Sequence, residues 1–281
     1  MQLYFCSDLH IESEDDPVLS QLNALLKQVA ENGDRVILAG DIFDLFVGKK
    51  KVFLKRFESF FSALEVAGKR GVQIDYLEGN HDFQLKGVFK AYPFVSLYSE
   101  SLIIEAKGKR FYVAHGDLAN SSDYGYRFLR AFFRSLLMKT FIRLAPDDWI
   151  DKIGQKSSCR SRQSRVAAKQ ENLVEIRKVY RSFAADKVLE GFDFVILGHC
   201  HDLDSMKFKV GERQGVYMNI GFPKSHGSIV TWSDEDHELT RMPLPTLSSD
   251  ITRDSNFSST SESNSPKAKT ADWKSKSTLS Y

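Results

Sequence analysis

Five short motifs in this chain place side chains of metal-ligand type next to one another. They are "SDLH" (Asp8, His10), "GDIFD" (Asp41, Asp44), "GNHD" (Asn80, His81, Asp82), "HGD" (His115, Asp117) and "GHCH" (His199, His201). Any one of them alone is ordinary: Gly-Asp and Gly-Asn are common turn dipeptides, and a lone Asp-x-His is most often a turn with a capping side chain. Five in succession are not explained by turn chemistry. The set holds carboxylates, histidines and an amide oxygen, with no thiolate required. That combination suits Mn²⁺, Fe²⁺, Zn²⁺ or Mg²⁺ better than a structural thiolate zinc site. It exceeds the needs of one ion, which implies two. Two divalent ions roughly 3.5–4 Å apart, joined by a shared carboxylate, clamp the attacking and leaving oxygens of a displacement at phosphorus.

Such a set must be positioned by something regular, and each motif closes a run that reads as a strand. The runs are 2–7, 35–40, 72–77, 110–115 and 194–199, with further candidates at 102–106, 215–221 and 228–232. Several are nearly continuous in Val, Ile and Leu, as expected of strands buried on both faces. In open α/β sheets the carboxyl edge of the strands is where sites lie. Helical patterns alternate with the strands. Pro17–Asn32 carries apolar residues at helical spacing and stops at Gly33, and Val52–Lys69 reads as one helix closed by Gly68 and Gly71. The alternation predicts an α/β, layered α+β domain over residues 1–245, and the later strands predict a second, mostly antiparallel sheet. In "GHCH", alternate residues of an extended chain point the same way. His199 and His201 are therefore expected to face the site, with Cys200 turned away as a small buried filler.

Two segments depart from the alternation. Residues 123–182 read as a long helical insert. Within it Phe128, Leu129, Phe132, Phe133, Leu136, Leu137, Phe141 and Ile142 recur at helical spacing, interleaved with Arg127, Arg130, Arg134, Lys139 and Arg143. One apolar stripe packs a helix onto a domain. This one is wide for a single contact, and predicts a lid that also meets acyl chains or a membrane surface. Residues 246–281 are dense in Ser and Thr and poor in aliphatics, and are expected to be disordered.

Composition narrows the class. The chain has 281 residues, 42% hydrophobic and 27% charged, enough for one large core. A formal net charge of +2 gives no reason to expect nucleic acid as a partner. Three cysteines, an odd and sparse set, fit a reducing compartment. The N-terminus lacks a basic n-region, and Asp8 interrupts any signal-peptide core, so the expected location is cytoplasmic.

The motif order Asp-x-His, Gly-Asp-x-x-Asp, Gly-Asn-His-Asp, His-Gly-Asp, Gly-His-x-His resembles that of the calcineurin-like metallophosphoesterases, over residues 1 to about 235. The resemblance implies a β-sandwich flanked by helices around a dinuclear centre. Asp8, His10 and His201 would hold the first ion, Asn80, His115 and His199 the second, and Asp41 would bridge them; manganese is the first expectation. Within that superfamily the chain resembles the UDP-2,3-diacylglucosamine hydrolases of Gram-negative lipid A synthesis, peripheral membrane enzymes that release UMP and 2,3-diacylglucosamine 1-phosphate. "HGDLANSSDYGYRFLR" resembles that family's segment with Asp123, Tyr126 and Arg130 as substrate contacts. "SSCRSRQ" resembles its Ser/Arg turn, with Ser158, Ser161 and Arg162. The implied partners are a sugar-nucleotide lipid and the surface of the inner membrane. In the best-known members of that family the histidine of Gly-Asn-His-Asp is an arginine; here it is His81. Superfamily behaviour places His81 beside the phosphate, oriented by Asp44, where it can stabilise developing charge or protonate a leaving oxygen. The pair His81 and Asp44 keeps a second expectation open: a phosphatase or phosphodiesterase for another lipid, nucleotide or protein substrate.

Overall fold

The aliphatic runs pair as the cores of two sheets, and the alternation of side chains along them builds four layers. The computed structural model describes residues 1–153 and 173–245. The first sheet has the order β13-β12-β1-β2-β4-β6. Its strands are β1 (Gln2–Cys6), β2 (Arg35–Ala39), β4 (Gln73–Leu77), β6 (Val95–Tyr98), β12 (Ser228–Ser233) and β13 (Leu239–Pro243). The second has the order β10-β11-β9-β8-β7. It comprises β7 (Ser101–Ala106), β8 (Lys109–Ala114), β9 (Phe194–Leu197), β10 (Ser205–Val210) and β11 (Arg213–Asn219). A two-stranded ribbon, β3 (Phe46–Val47) with β5 (Asp82–Phe83), sits apart.

Period-two alternation decides the layers. On β1, Leu3 and Phe5 face inward, where Phe111, Val113, Phe194, Ile196 and Trp232 close the space between the sheets. Tyr4 and Cys6 face the other way, onto the helices α1 (Pro17–Asn32) and α3 (Glu58–Lys69). The outer face of the second sheet, with Ala114, Val195, Leu197 and Tyr217, is covered by Tyr180, Ala184 and Val188 of the helix Leu173–Leu189. The innermost strands such as β2 and β9 are thus buried on both sides, which is why their sequences read as nearly continuous Val, Ile and Leu.

Two expectations change. The second sheet is not mostly antiparallel. Its three central strands, β8, β9 and β11, run parallel, and only the edge strands β7 and β10 are antiparallel to them. The reason is topological: β8 and β9 are joined through the helical insert, and a long crossover delivers a parallel neighbour. The run at 228–232 joins the first sheet instead, antiparallel to β1. The single helix expected over 52–69 is two, α2 (Lys51–Arg56) and α3, broken at Phe57 with φ −123° and ψ 38°. The break carries the Phe57 ring to within 4.2 Å of the Phe43 ring centroid, in a buried cluster with Phe46, Phe53 and Phe60. Each such ring contributes about 1.5–3 kcal/mol by burial.

α1 begins and ends as its sequence requires. Asp16 caps it by accepting from Val18 N–H at 3.0 Å, Pro17 opens the first turn, and Gly33 closes it in left-handed backbone. The insert after β8 forms α5 (Tyr124–Arg134) and α6 (Leu136–Leu144), separated at Ser135, whose hydroxyl caps α6 by accepting from Met138 N–H. Its far end is fastened to the body. The Lys50 ammonium reaches the carbonyl of Ala145 just past α6, and Arg56 forms a two-pronged pair with Asp151. Among the described residues, no helix is long and apolar enough to cross a membrane.

Candidate metal centre and its cavity

Strands β1, β2 and β4 of one sheet, and β8 and β9 of the other, deliver the five motifs to a common edge. The structure gathers the predicted ligands into touching groups: Asp8 with His10 and His201, Asp41 with His115 and His199, and His10 with Asp44 and His81. Within each group the ligand atoms lie within 4.8 Å of one another. Asn80 joins the second, its Oδ1 3.1 Å from His115 Nε2.

The backbone at these positions is unusual. Asp8, His10, Asp41, His199 and His201 all have positive φ, between 44° and 68°. Left-handed backbone is uncommon for side chains other than Gly, Asn and Asp, and persists only where the surroundings over-determine it. Here they do. The Asp8 N–H donates to the Gly40 carbonyl at 3.1 Å, and His10 N–H to that of Asp41 at 3.0 Å. Asp8 Oδ2 accepts from Ser7 Oγ at 2.6 Å and from the His199 N–H at 2.8 Å. The extended-chain reason for His199 and His201 facing the site therefore fails, since β9 ends at Leu197 and both histidines sit in left-handed turns. They reach the centre nonetheless, one in each ligand group. Cys200 packs among the residues beneath the helix Leu173–Leu189, and burial pushes its thiol up to about 12.

The motif glycines mark close approaches. A Cβ on Gly79 would stand 2.1 Å from Asp41 Oδ1, and one on Gly198 would stand 2.2 Å from Ser7 Oγ. Side chains there would displace the ligand loops themselves. Asp82 is the brace that holds these loops together. Its Oδ1 accepts from the N–H groups of Gly79 (2.8 Å) and Asp41 (3.0 Å), and its Oδ2 from Ile42 N–H (2.7 Å) and the Tyr76 hydroxyl (2.6 Å).

The donor set fits divalent cations. Asp41 Oδ2 lies between the two groups, 3.7 Å from His10 Nε2 and 3.5 Å from His115 Nε2, and is buried with no hydrogen-bond partner. Asp8 Oδ1 is likewise buried without one. His10 Nε2 and His201 Nε2 stand 3.1 Å apart, and His115 Nε2 and His199 Nδ1 3.2 Å apart. Nitrogens and oxygens converge in this way where lone pairs are directed at shared positive charge. The electrostatics agree. Although burial opposes it, the Asp41 carboxylate pushes His115 up to about 10, while burial and then the charge of His115 push His199 down to about 4. Despite burial, Asp41 is held well below the usual carboxylate range by His115 and His81. A pocket that keeps its aspartates ionised and forces a proton onto a buried imidazole is one that calls for cations. His115 Nδ1–H donates to the Ala39 carbonyl at 3.2 Å, which fixes the tautomer that turns Nε2 to the centre.

His81 and Asp44 are also brought together, with a difference in detail. His81 Nδ1–H donates to the main-chain carbonyl of Asp44 at 2.7 Å, while the Asp44 carboxylate lies 3.6 Å from His10 Nδ1. The His81 ring meets His10 edge to face, centroids 4.8 Å apart.

Beside the ligands opens a cavity of about 550 Å³. Asn80, His81, His199, Tyr126, Arg130 and Arg134 form its polar end, and Leu45, Val47, Phe83, Leu129, Phe133, Met138, Phe141, Ile142 and Ile150 its apolar walls. Tyr126 and Arg130 are held there by Asp117, whose Oδ2 accepts from the Tyr126 hydroxyl at 2.7 Å and from Arg130 Nε at 2.6 Å. Asp123 does not line the cavity. Its carboxylate caps α5, accepting from the Tyr126 N–H at 2.9 Å. Ser158, Ser161 and Arg162 lie outside the described residues. Arg134 was not singled out from sequence as a site residue. It pairs with the buried carboxylate of Glu78 and donates to the Gly79 carbonyl at 2.8 Å, latching the insert to the loop that carries Asn80 and His81. An arginine in a basic amphipathic run gives no sign of such a latch; only the approach of α5 to the loop reveals it.

Comparison with known proteins adds an independent line. The model of the family described as "Calcineurin-like phosphoesterase" matches residues 1–203. The UDP-2,3-diacylglucosamine hydrolase of Serratia proteamaculans is 24% identical over 247 residues, 87% of this chain and 100% of that protein. That of Haemophilus influenzae (strain PittGG) is 29% identical over 226 residues, 79% of this chain and 87% of the relative. Among solved structures, an archaeal phosphodiesterase aligns with 87% of this chain and 100% of its own at 14% identity, with a TM-score of 0.44.

Proposed function

The chain belongs to the calcineurin-like phosphoesterase family, a hydrolase family that implies divalent metal ions, and from that premise we propose that it hydrolyses the pyrophosphate of UDP-2,3-diacylglucosamine. The products of that cleavage are UMP and 2,3-diacylglucosamine 1-phosphate; the relatives are named as UDP-2,3-diacylglucosamine hydrolases. The observation that carries this reading is the cavity: a polar end at the ligand cluster, opening directly into apolar walls to which the insert contributes Leu129, Phe133, Met138, Phe141, Ile142 and Ile150. A substrate with a diphosphate next to acyl chains matches both ends. A substrate without acyl chains leaves the walls unused.

Two ions, manganese first, would be held by Asp8, His10 and His201 and by Asn80, His115 and His199, with Asp41 shared. When bound, such ions supply Lewis acidity at phosphorus and make a water nucleophilic at neutral pH. The chain's own groups do the rest. Arg130, fixed by Asp117 and by the Ser99 carbonyl (2.7 Å), and Tyr126 set the edge against which a phosphoryl group rests. His81, its ring pinned at Nδ1, offers a hydrogen-bond donor or acid to the phosphoryl oxygens at the cavity mouth. Ser158, Ser161, Arg162 and the cap residue Asp123 remain candidates for the uridine or glucosamine side on resemblance alone.

The insert supports a peripheral contact with the cytoplasmic face of a Gram-negative inner membrane. Leu129, Phe133 and Phe141 point into the cavity, whereas Phe128, Leu136, Leu137 and Leu144 stand on the outside with Arg127, Lys139 and Arg143 exposed among them. An apolar surface set in cations suits an anionic lipid surface. The chain boundary we favour is a single domain over 1–245 that includes this insert.

The test is to incubate the protein with Mn²⁺ and UDP-2,3-diacylglucosamine and to measure UMP. Formation of UMP is expected. No UMP, with cleavage of simple phosphodiesters retained, would leave the family and remove this substrate. A second reading, hydrolysis of another lipid or nucleotide phosphoester with an alkoxide leaving group, draws on His81, which an alkoxide needs as an acid more than UMP does.

A further inference from the structure

We infer that Phe222 is a positioning residue for one ion of the centre: it fixes the rings of His201 and His10 and so sets the affinity of the ion they hold, without touching it. The inference rests on the two-ion reading above. The Phe222 and His201 rings are parallel to within 3°, centroids 4.6 Å apart. The same phenyl ring meets His10 edge on, at 6.0 Å and 66°. His201 needs such support. It lies four residues beyond the end of β9, in left-handed backbone with φ 55°, where no strand fixes its direction. A flat ring laid against an imidazole blocks its rotation and keeps water off that face, which is how residues outside a coordination sphere tune it.

Phe222 is itself held with unusual care for a loop residue. Its N–H donates to His226 Nδ1 at 2.9 Å. Gly221, at φ 91°, passes so close to Leu203 that a Cβ would stand 2.6 Å from Leu203 Cδ2. Asn219 ties this loop to the turn of the "GHCH" motif, accepting from Gly221 N–H at 3.0 Å and donating to the Gly198 carbonyl at 2.9 Å. Among the described residues, the ligand set on the other side has no parallel stack of this kind. His199 meets the His115 ring edge on, at 5.0 Å and 75°, and the Tyr126 ring lies 6.0 Å away, tilted by 50°. Among the described residues, parallel stacking by a ring outside the ligand set therefore falls on one half of the centre.

This asymmetry is testable by metal binding as well as by turnover. Full-length protein stripped with chelator is titrated with Mn²⁺ and followed by calorimetry and by the electron paramagnetic resonance of free Mn²⁺. Phe222→Leu keeps an apolar side chain and loses the ring; Phe222→Met is a second replacement of that kind, and Phe222→Tyr keeps the ring. In Phe222→Leu and Phe222→Met one of the two ions is expected to bind about tenfold or more weakly, the other as in the wild type, with the melting temperature of the stripped protein unchanged and activity recovered at higher Mn²⁺. Phe222→Tyr is expected to bind both ions as the wild type does. Wild-type affinity for both ions in Phe222→Leu and Phe222→Met, equal weakening of both, or failure of Phe222→Tyr to bind normally would overturn the inference. A wild type that takes up fewer than two ions would instead overturn the two-ion reading, and the inference with it.

Discussion

Asp8, Asp41 and His115 are almost wholly closed to solvent, and five of the ligand residues sit in left-handed backbone. On the insert that meets them across the cavity, Phe128, Leu136 and Leu137 are 75%, 81% and 72% exposed, on regular helices. The first region keeps strained backbone because hydrogen bonds between loops hold it: Asp8 is tied to Gly40, Ser7 and His199, and Asp82, itself unstrained, braces the Gly79 and Asp41 loops with four. The second keeps apolar side chains in water on unstrained backbone, and among the described residues it is fastened by separate side-chain contacts: Tyr126 and Arg130 to Asp117, Arg134 to Glu78, and Lys50 and Arg56 at the far end. Chemistry that needs fixed geometry is placed where packing over-determines it. The contact with an acyl chain or a lipid surface proposed above tolerates adjustment, and would fall on the region whose backbone is less tightly determined.

This contrast predicts a graded series of effects. Asp41→Ala removes the carboxylate shared by both ligand groups. Activity is expected to fall by well over the roughly 100-fold that loss of an outer partner causes, with metal content falling in step by elemental analysis. His81→Ala leaves all the ligand positions filled. It is expected to keep its metal and lose turnover by about 10²–10⁴-fold; metal loss in this variant would move His81 from the cavity edge into the ligand set. Arg134→Met cuts the latch between the two regions and leaves the Glu78 carboxylate, 8% exposed, without its cation. A destabilisation of about 3 kcal/mol in urea unfolding is expected. Retention of full stability would mean that the insert seats itself by apolar contact alone. The smallest effect on the fold belongs to Leu136→Glu with Leu137→Glu, within about 0.5 kcal/mol of wild type by melting. Co-sedimentation of this double variant with vesicles of anionic phospholipid is nevertheless expected to fall. Unchanged partition would remove the lipid surface as the partner of that face.

Much of this architecture is written locally. The central strands could be read because burial favours apolar runs, nearly continuous in β2 and β9, and α1 because its opening proline and closing glycine are in place. The edge strands β6, β10 and β13 could not. They pack on one side or hardly at all, so "SMKFKV" of β10 carries no apolar run to betray it. The candidate ligands were legible for a chemical reason: carboxylates and imidazoles cluster after strands in numbers that turn formation does not require.

Tertiary structure alone decided the rest. The identity of each ligand residue lies in the sequence. The resemblance already implies that Asp41 is shared and that His199 and His201 serve different ions; the geometry that brings Asp41 near both groups depends on two sheets meeting at one edge. No periodicity encodes the left-handed turns that aim the ligands, because they are imposed by hydrogen bonds between residues as far apart in the chain as Asp8 and His199. For the same reason Phe222 and Arg134 were silent in the sequence. A phenyl ring or a guanidinium acquires its role from what is packed against it, and those neighbours are brought from distant segments by the fold.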